Sequence, residues 1–358
     1  MGQNPNPNPN HEEEVEDEEG GGGEGEDRRQ RSLRKLALVH DLSRSLSHGD
    51  PESRVRAARD VRRIARSSAR SRSILAAPSV VQPLVSMLLS SDGFVRESAL
   101  LALLNLAVRN ERNKDRIVKS GAIPPLVEIL KQSDGNLRDL ATAAILSLSV
   151  SPSNKQPISN SGVTPLLIDI LNSGSLQGKV DAVTALYNLY ISQDNNPSPS
   201  TLTTEAIPPL LSLLKDCKKH SKFAEKATAL LEILSSTEGG QTSISKYDGG
   251  ILAIVETIEG GTLISTEHAV GVLLMLCRSR RQYRRLVLEE GAIPGLLRLT
   301  IDGTEKGRER AVVLLDLLRE EARPRRKLFQ CVIGQSLEER LNHLQMGKSS
   351  CSPSVGLV

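Results

Sequence analysis

The chain has 358 residues with 46 basic and 43 acidic side chains, and aromatics are only 2% with no Trp, so any large core must be aliphatic. No apolar run approaches the ~20 residues of a membrane span, and the polar, acidic N-terminus does not read as a secretory signal. The cysteines Cys217, Cys277, Cys331 and Cys351 are 60, 54 and 20 residues apart, which fits no metal knuckle and suits a reducing compartment, so a cytoplasmic or nuclear location is expected.

In chain order, residues 1–31 read as a disordered arm. NPNPNPN, an acidic run and GGGGEGED bury too little apolar surface to offset chain entropy. Residues 1–27 hold ten carboxylates and no Lys or Arg, leaving 33 of the 43 acidic residues against all 46 basic ones elsewhere. Residues 32–48, with Leu33, Leu36, Leu38, Leu42 and Leu46, read as a capping helix. Residues 49–322 carry repeats. Ala57, Ala99, Ala141, Ala182, Ala227, Ala269 and Ala311 recur at gaps of 42, 42, 41, 45, 42 and 42. Each sits at the same point of an apolar helical stretch, and a small side chain there lets a neighbouring helix approach closely.

A second word keeps the same period: GAIPPLVEIL at Gly121, GVTPLLIDIL at Gly162, EAIPPLLSLL at Glu205, GGILAIVETI at Gly249 and GAIPGLLRLT at Gly291. SVVQPLVSML at Ser79 is a weaker copy. Gly121 and Gly291 are placed to end one helix in a left-handed conformation, and Pro124, Pro165, Pro208 and Pro294 to begin the next. Two phased words mean stacked helical units, hence a long surface for binding rather than one closed pocket. Pro324 breaks the pattern, and residues 323–358 form a basic, then amphipathic tail with Leu337, Leu341 and Leu344 at helical spacing.

The GAIPPLVEIL word, the period of about 42 and the Leu103–Leu106 ending resemble armadillo repeats, with the nearest likeness to the armadillo region of plant U-box proteins. That resemblance implies an all-α, right-handed armadillo superhelix, an α-solenoid of about seven repeats, that holds a protein partner or a ubiquitin-pathway substrate in a concave groove. Only about 50 residues precede the first repeat and no compact U-box fits among them. A non-catalytic, monomeric scaffold or adaptor is therefore expected. A U-box ligase, with the U-box in a longer form or a separate ligase partner, is the alternative from the enzyme class.

In the import adaptors of this superfamily the third helix of each unit carries a Trp and, four residues on, an Asn. The resemblance carries those positions onto this chain. Leu101, Ala143, Thr184, Ala229, Gly271 and Val313 stand at the Trp position, so no indole is present and lysine-rich signals should bind poorly. At the Asn position stand Asn105, Ser147 and Asn188, then Ile233, Met275 and Leu317. The first three could hold an extended peptide, and the last three an amphipathic helix, unless they pack within the array.

Three clusters are basic. The first runs from Arg54 to Arg72 and includes Arg62 and Arg63. The second holds Arg278, Arg280, Arg281, Arg284 and Arg285, and the third Arg323, Arg325, Arg326 and Lys327. Tyr283 is the lone aromatic among these arginines, so a solvated face or a dock for acidic proteins is expected rather than a nucleic-acid site. The acidic arm, residues 12–27, could compete for that dock through a salt-sensitive contact. The third cluster could serve as a nuclear signal. The six histidines fall in no nucleophile, metal or phosphate-loop motif, and Cys217-x-x-His220 lacks a second ligand pair, so no catalytic residue, metal or cofactor is expected.

Overall fold

A computed structural model describes residues 22–132, 135–191 and 202–321. Every element among them is helical. A long helix α1 (Gly22–His48) leads into α2 (Pro51–Ser67). Three helices then recur: α3, α4 and α5 (Ala69–Leu75, Pro78–Met87, Gly93–Ala107), α6, α7 and α8 (Glu111–Lys119, Ile123–Gln132, Asn136–Ser149), and α9, α10 and α11 (Pro152–Ser159, Val163–Ser173, Leu176–Tyr190). The next unit is described from a 3-10 turn (Thr204–Ala206) through α12 (Ile207–Asp216) and α13 (Lys222–Leu234). It is followed by α14, α15 and α16 (Glu238–Lys246, Gly250–Gly260, Leu263–Ser279), and by α17 (Arg281–Glu289), α18 (Ile293–Asp302) and helical residues 305–321, here α19.

The third helices form the spine. α2 packs on α5, α5 on α8, α8 on α11, α11 on α13 and α13 on α16. Six of the phased alanines lie on these helices and the seventh, Ala311, on α19, and none is more than 4% exposed. The methyl group at each position sets how closely adjacent helices approach. Around them a continuous aliphatic core of Leu, Ile, Val and Ala runs from Leu42 to Leu318.

The glycine–proline word is a helix stop followed by a helix start. Gly121 has φ +85 and Gly291 φ +75. The Gly121 amide donates to the Val118 carbonyl and Ala122 to Ile117, and Gly291 and Ala292 repeat both bonds to Leu288 and Val287. Glycine adopts this left-handed turn without Cβ strain, and the paired bonds satisfy the last carbonyls of α6 and α17. Where the word reads EAIPP, Glu205 replaces glycine and the chain enters α12 through the 3-10 turn instead.

Helix α1 departs from the sequence expectation at both ends of its role. It starts at Gly22, ten residues before Ser32, and so includes residues assigned to the disordered arm. Leu42 and Leu46 are buried as a cap requires, but Leu33, Leu36 and Leu38 are 57%, 66% and 39% exposed. The 27 residues of α1 would span ~40 Å and the 17 of α2 ~25 Å, so the N-terminal part of α1 outruns the helix it packs on. The remainder of the acidic arm before Gly22 and the tail, residues 323–358, lie outside the described residues. No helix among the described residues is long and apolar enough to cross a membrane.

Replacing Ala141 with Leu should force α8 away from its neighbours and cost about 1–3 kcal/mol, read as a lower denaturation midpoint. An unchanged midpoint would mean that the close approach at this position is not a constraint.

Candidate functional site

The face of each third helix turned away from the core forms one strip across the array. The eight sequence-predicted groove positions lie on these third helices, where Ile233 and Leu317 also pack against the core. Leu101, Asn105, Ser147, Thr184, Asn188, Ile233 and Leu317 are half-buried, and Met275 is exposed. None is fully buried, so each has some surface that a ligand can meet. The strip contains no closed chamber at Leu104 and Ser147: the cavity there, lined by Leu100, Leu103 and Leu148 among others, is about 10 Å³, room for one water.

The polar positions already spend part of their hydrogen-bonding capacity on the protein. Asn105 Nδ2 donates to the Leu101 carbonyl at 2.7 Å, and Asn188 Nδ2 to Ser149 Oγ at 3.1 Å on the adjacent helix. Lys226 reaches back from α13 to Thr184 Oγ1 at 3.0 Å. An amide has two N–H donors and an oxygen, so both asparagines are held in a fixed orientation with valences to spare.

Toward the C-terminal end the strip is not the continuous apolar wall that Ile233, Met275 and Leu317 suggest. Glu232 lies beside Ile233 and accepts from Arg310 Nη2 at 2.6 Å, a contact spanning 78 residues and crossing the intervening helix α16. His268 Nδ1 meets the other Glu232 oxygen at 2.6 Å. Gly271 makes the crossing feasible: a Cβ built there would lie 2.7 Å from both Arg310 Nη1 and the Glu232 carboxylate. Gly271 stands at the position where the import adaptors carry Trp. A glycine where that pattern calls for a large side chain is the sequence signal of the crossing, whereas Glu232, His268 and Arg310 are too distant in the chain for any spacing to join them.

The clasp is largely desolvated, with Arg310 and Glu232 side chains only 17% and 16% exposed. Burial disfavours a charged Glu232, but the hydrogen bonds from His268 and Arg310 and the arginine charge outweigh it, holding the pKa below the ordinary 4.5. A carboxylate with a depressed folded-state pKa stabilises the fold above its unfolded pKa, and that contribution disappears as pH falls through the folded value.

The two basic clusters that the structure describes differ in their partners. In the second, Arg280 pairs with Glu238, Arg281 with Glu321 at 3.1 Å, Arg284 with Glu320 at 3.6 Å and Arg285 with Glu289 at 2.7 Å. In the first, Arg63 pairs with Asp60 within α2 at 2.8 Å. Arg59, Arg62, Arg63 and Arg66 line one open concavity of about 650 Å³. Arg59 and Arg63 stand two and six residues after Ala57, the same offsets that place Leu101 and Asn105 after Ala99. The strip thus begins one rung earlier than the sequence reading started it, with arginine at both equivalent positions. The third cluster lies outside the described residues.

Among the described residues the thiols are those of Cys217 and Cys277. Burial pushes the Cys277 thiol up to about 12 despite the nearby Arg284, and burial also raises Cys217. Neither offers the thiolate that nucleophilic attack requires. Among the described residues no three His, Cys, Asp or Glu side chains are grouped to hold a metal.

Residues 151–333 match the family model for the plant U-box protein ARM repeat region, and residues 110–150 match the armadillo/beta-catenin-like repeat. The chain is similar to U-box domain-containing protein 17 of Arabidopsis thaliana, 33% identical over 282 residues, covering 78% of this chain and 38% of that protein. It is likewise similar to U-box domain-containing protein 4 of Oryza sativa subsp. japonica, 30% identical over 294 residues, covering 80% and 39%. It spans under two-fifths of the length of either relative. Among solved structures, one describing a phosphorylation switch in the interaction between cadherin and beta-catenin aligns with a TM-score of 0.68 at 20% identity, over 80% of this chain and 54% of that one. An engineered protein aligns with a TM-score of 0.64 at 22% identity, over 78% and 68%. Both likenesses concern the fold.

Removing the arginine of the clasp, Arg310→Ala, should cost about 3 kcal/mol, because Glu232 is then left largely buried without its cation. Stability measured against pH should separate the carboxylate's share. The gap between wild type and Glu232→Gln should be constant above about pH 5 and narrow below the ordinary glutamate value of 4.5. A gap independent of pH would remove Glu232 as the group responsible.

Proposed function

This chain belongs to the armadillo-repeat family, in the branch of the plant U-box protein ARM repeat region, and we propose that it binds a protein partner along the strip of its third helices without doing chemistry on it. The observation that carries this reading is the row of oriented but incompletely satisfied polar groups on adjacent third helices, Asn105 and Asn188 above all. Successive third helices present such groups on one face, which suits the carbonyls and amides of an extended polypeptide. The Glu232–Arg310 clasp divides that face. An extended chain has room between α2 and α11, and the exposed Met275 offers a separate apolar contact beyond the clasp. The absence of indoles argues for a partner other than a lysine-rich signal.

A more specific role rests on the relatives, whose names place a U-box in the same polypeptide as this kind of array. In that setting the array would select the substrate and another module would recruit the ubiquitin-conjugating enzyme. This chain alone, incubated with ubiquitin, activating enzyme and conjugating enzyme, should then yield no conjugates above the control without it. Conjugates formed by the chain would overturn the non-catalytic reading.

Peptides selected from a random display library against the full chain provide the test of groove binding. Asn105→Ala combined with Asn188→Ala should weaken them about tenfold, the equivalent of one or two hydrogen bonds of about 1 kcal/mol each. Unaltered affinity with an unchanged fold would exclude the two asparagines from the site.

A further inference from the structure

We propose that Arg59, Arg62, Arg63 and Arg66 on α2 form an anion-recognition rung at the head of the binding strip, and that its occupant is an Asp/Glu-rich segment of the protein partner, followed by an apolar side chain. The inference rests on the groove-binding reading and adds the chemistry of one end of the ligand.

Four observations carry it. The four guanidinium groups line one concavity rather than scattering around the helix, and Arg59, Arg63 and Arg66 are exposed. Arg62 is half-buried, so its stem is packed while it lines the concavity with the three exposed arginines. Asp60 answers only Arg63, whereas each of four arginines of the second cluster has a glutamate. The contrast matters because the two patches look alike in sequence, yet among the described residues Arg59, Arg62 and Arg66 on α2 have no ion pair, while in the second patch only Arg278 lacks one. Carboxylates match guanidinium geometry in bidentate pairs, and several in a row would satisfy several forks at once.

The fourth observation sets what lies beside the acidic run. Arg59 also borders a second concavity of about 330 Å³, shared with Val55, Arg56 and the side chain of Phe94, which is 72% exposed. Glu52 and Asp92 offset Arg56 and Arg59 in the same hollow, so it adds no net attraction for a further carboxylate, while an aliphatic or aromatic residue finds Phe94 and Val55. A nucleic acid fits less well. The arginines span one helix, about 10 Å from Arg59 to Arg66, and the next rung presents Leu101, Leu104, Asn105 and Val108 at the equivalent positions rather than more cations.

The probe is a fluorescein-labelled peptide of eight alternating Glu and Asp residues followed by Gly-Leu-Phe, titrated by anisotropy against the full chain. Binding should fall at least about tenfold in Arg59→Gln/Arg63→Gln/Arg66→Gln, and weaken as salt is raised through about 0.1 M. Those side chains are exposed, and an unchanged thermal midpoint would show that the variant is folded. Arg281→Gln/Arg285→Gln should leave probe affinity unchanged. An equal loss in that second variant would reduce the rung to general charge attraction and overturn the proposal. So would tighter binding of an eight-nucleotide oligothymidylate with the same dependence on α2, since the ligand would then be a nucleic acid. If the probe binds only after residues 1–21 are deleted, the occupant is the chain's own acidic segment and the assignment to a partner fails. If the α2 variant changes nothing while Asn105→Ala/Asn188→Ala still abolishes the selected peptides, the rung is wrong and groove binding stands. Loss of neither would sink both.

Discussion

The close approach of successive third helices at a single methyl group is the constraint on which the rest of this protein depends. Ala57 through Ala311 are buried at every contact, and the interval between them is the interval of the fold. A larger side chain would open a gap between rungs, and a gap would misalign every residue on the exposed face. The binding strip is therefore a consequence of core packing: its side chains are in register because the alanines beneath them are. The glycine–proline words serve the same end from the outside, since a fixed stop and start returns the chain to the same angle in each unit.

On this regular frame the protein builds a surface that differs from end to end. At α2 four arginines converge on an open concavity with little internal neutralisation. In the middle, asparagines are held by their neighbours and keep unspent polar capacity. Near α16 the strip is occupied by its own ion pair, made feasible by a glycine. A buried pair of this kind does little for net stability compared with an apolar filling, but breaking it is costly. Its effect on binding is geometric, because Arg310 lies where an extended ligand would otherwise run.

Comparison of the two arginine clusters illustrates how little composition says about charge. Both read as basic patches, and both combine arginine density with few aromatics. On α17 the charges are answered by glutamates from α14 and α19 and within α17 itself, brought near by stacking of the repeats. On α2 the described residues supply one paired carboxylate, Asp60 on the same helix, and the positive field stays open to solvent. Surroundings in the array, rather than residue type, leave one patch open and tie the other into the scaffold.

The periodic alanines, the glycine–proline words and the aliphatic composition by themselves determined the helical class, the repeat length, the stop at Gly121 and the strip on which Leu101, Asn105 and Asn188 stand. These are local or strictly periodic properties, and a period written in the chain survives folding unchanged. Only the tertiary structure decided which arginines are answered, that Asn188 leans on Ser149, that the first half of α1 remains uncovered, and that Glu232 reaches Arg310 across Gly271. The contacts Arg281–Glu321, Asn188–Ser149 and Glu232–Arg310 join neighbouring or next-neighbouring repeats, about 40 or 80 residues apart. Such pairings depend on the angle and distance between stacked helices, which no one-dimensional spacing encodes.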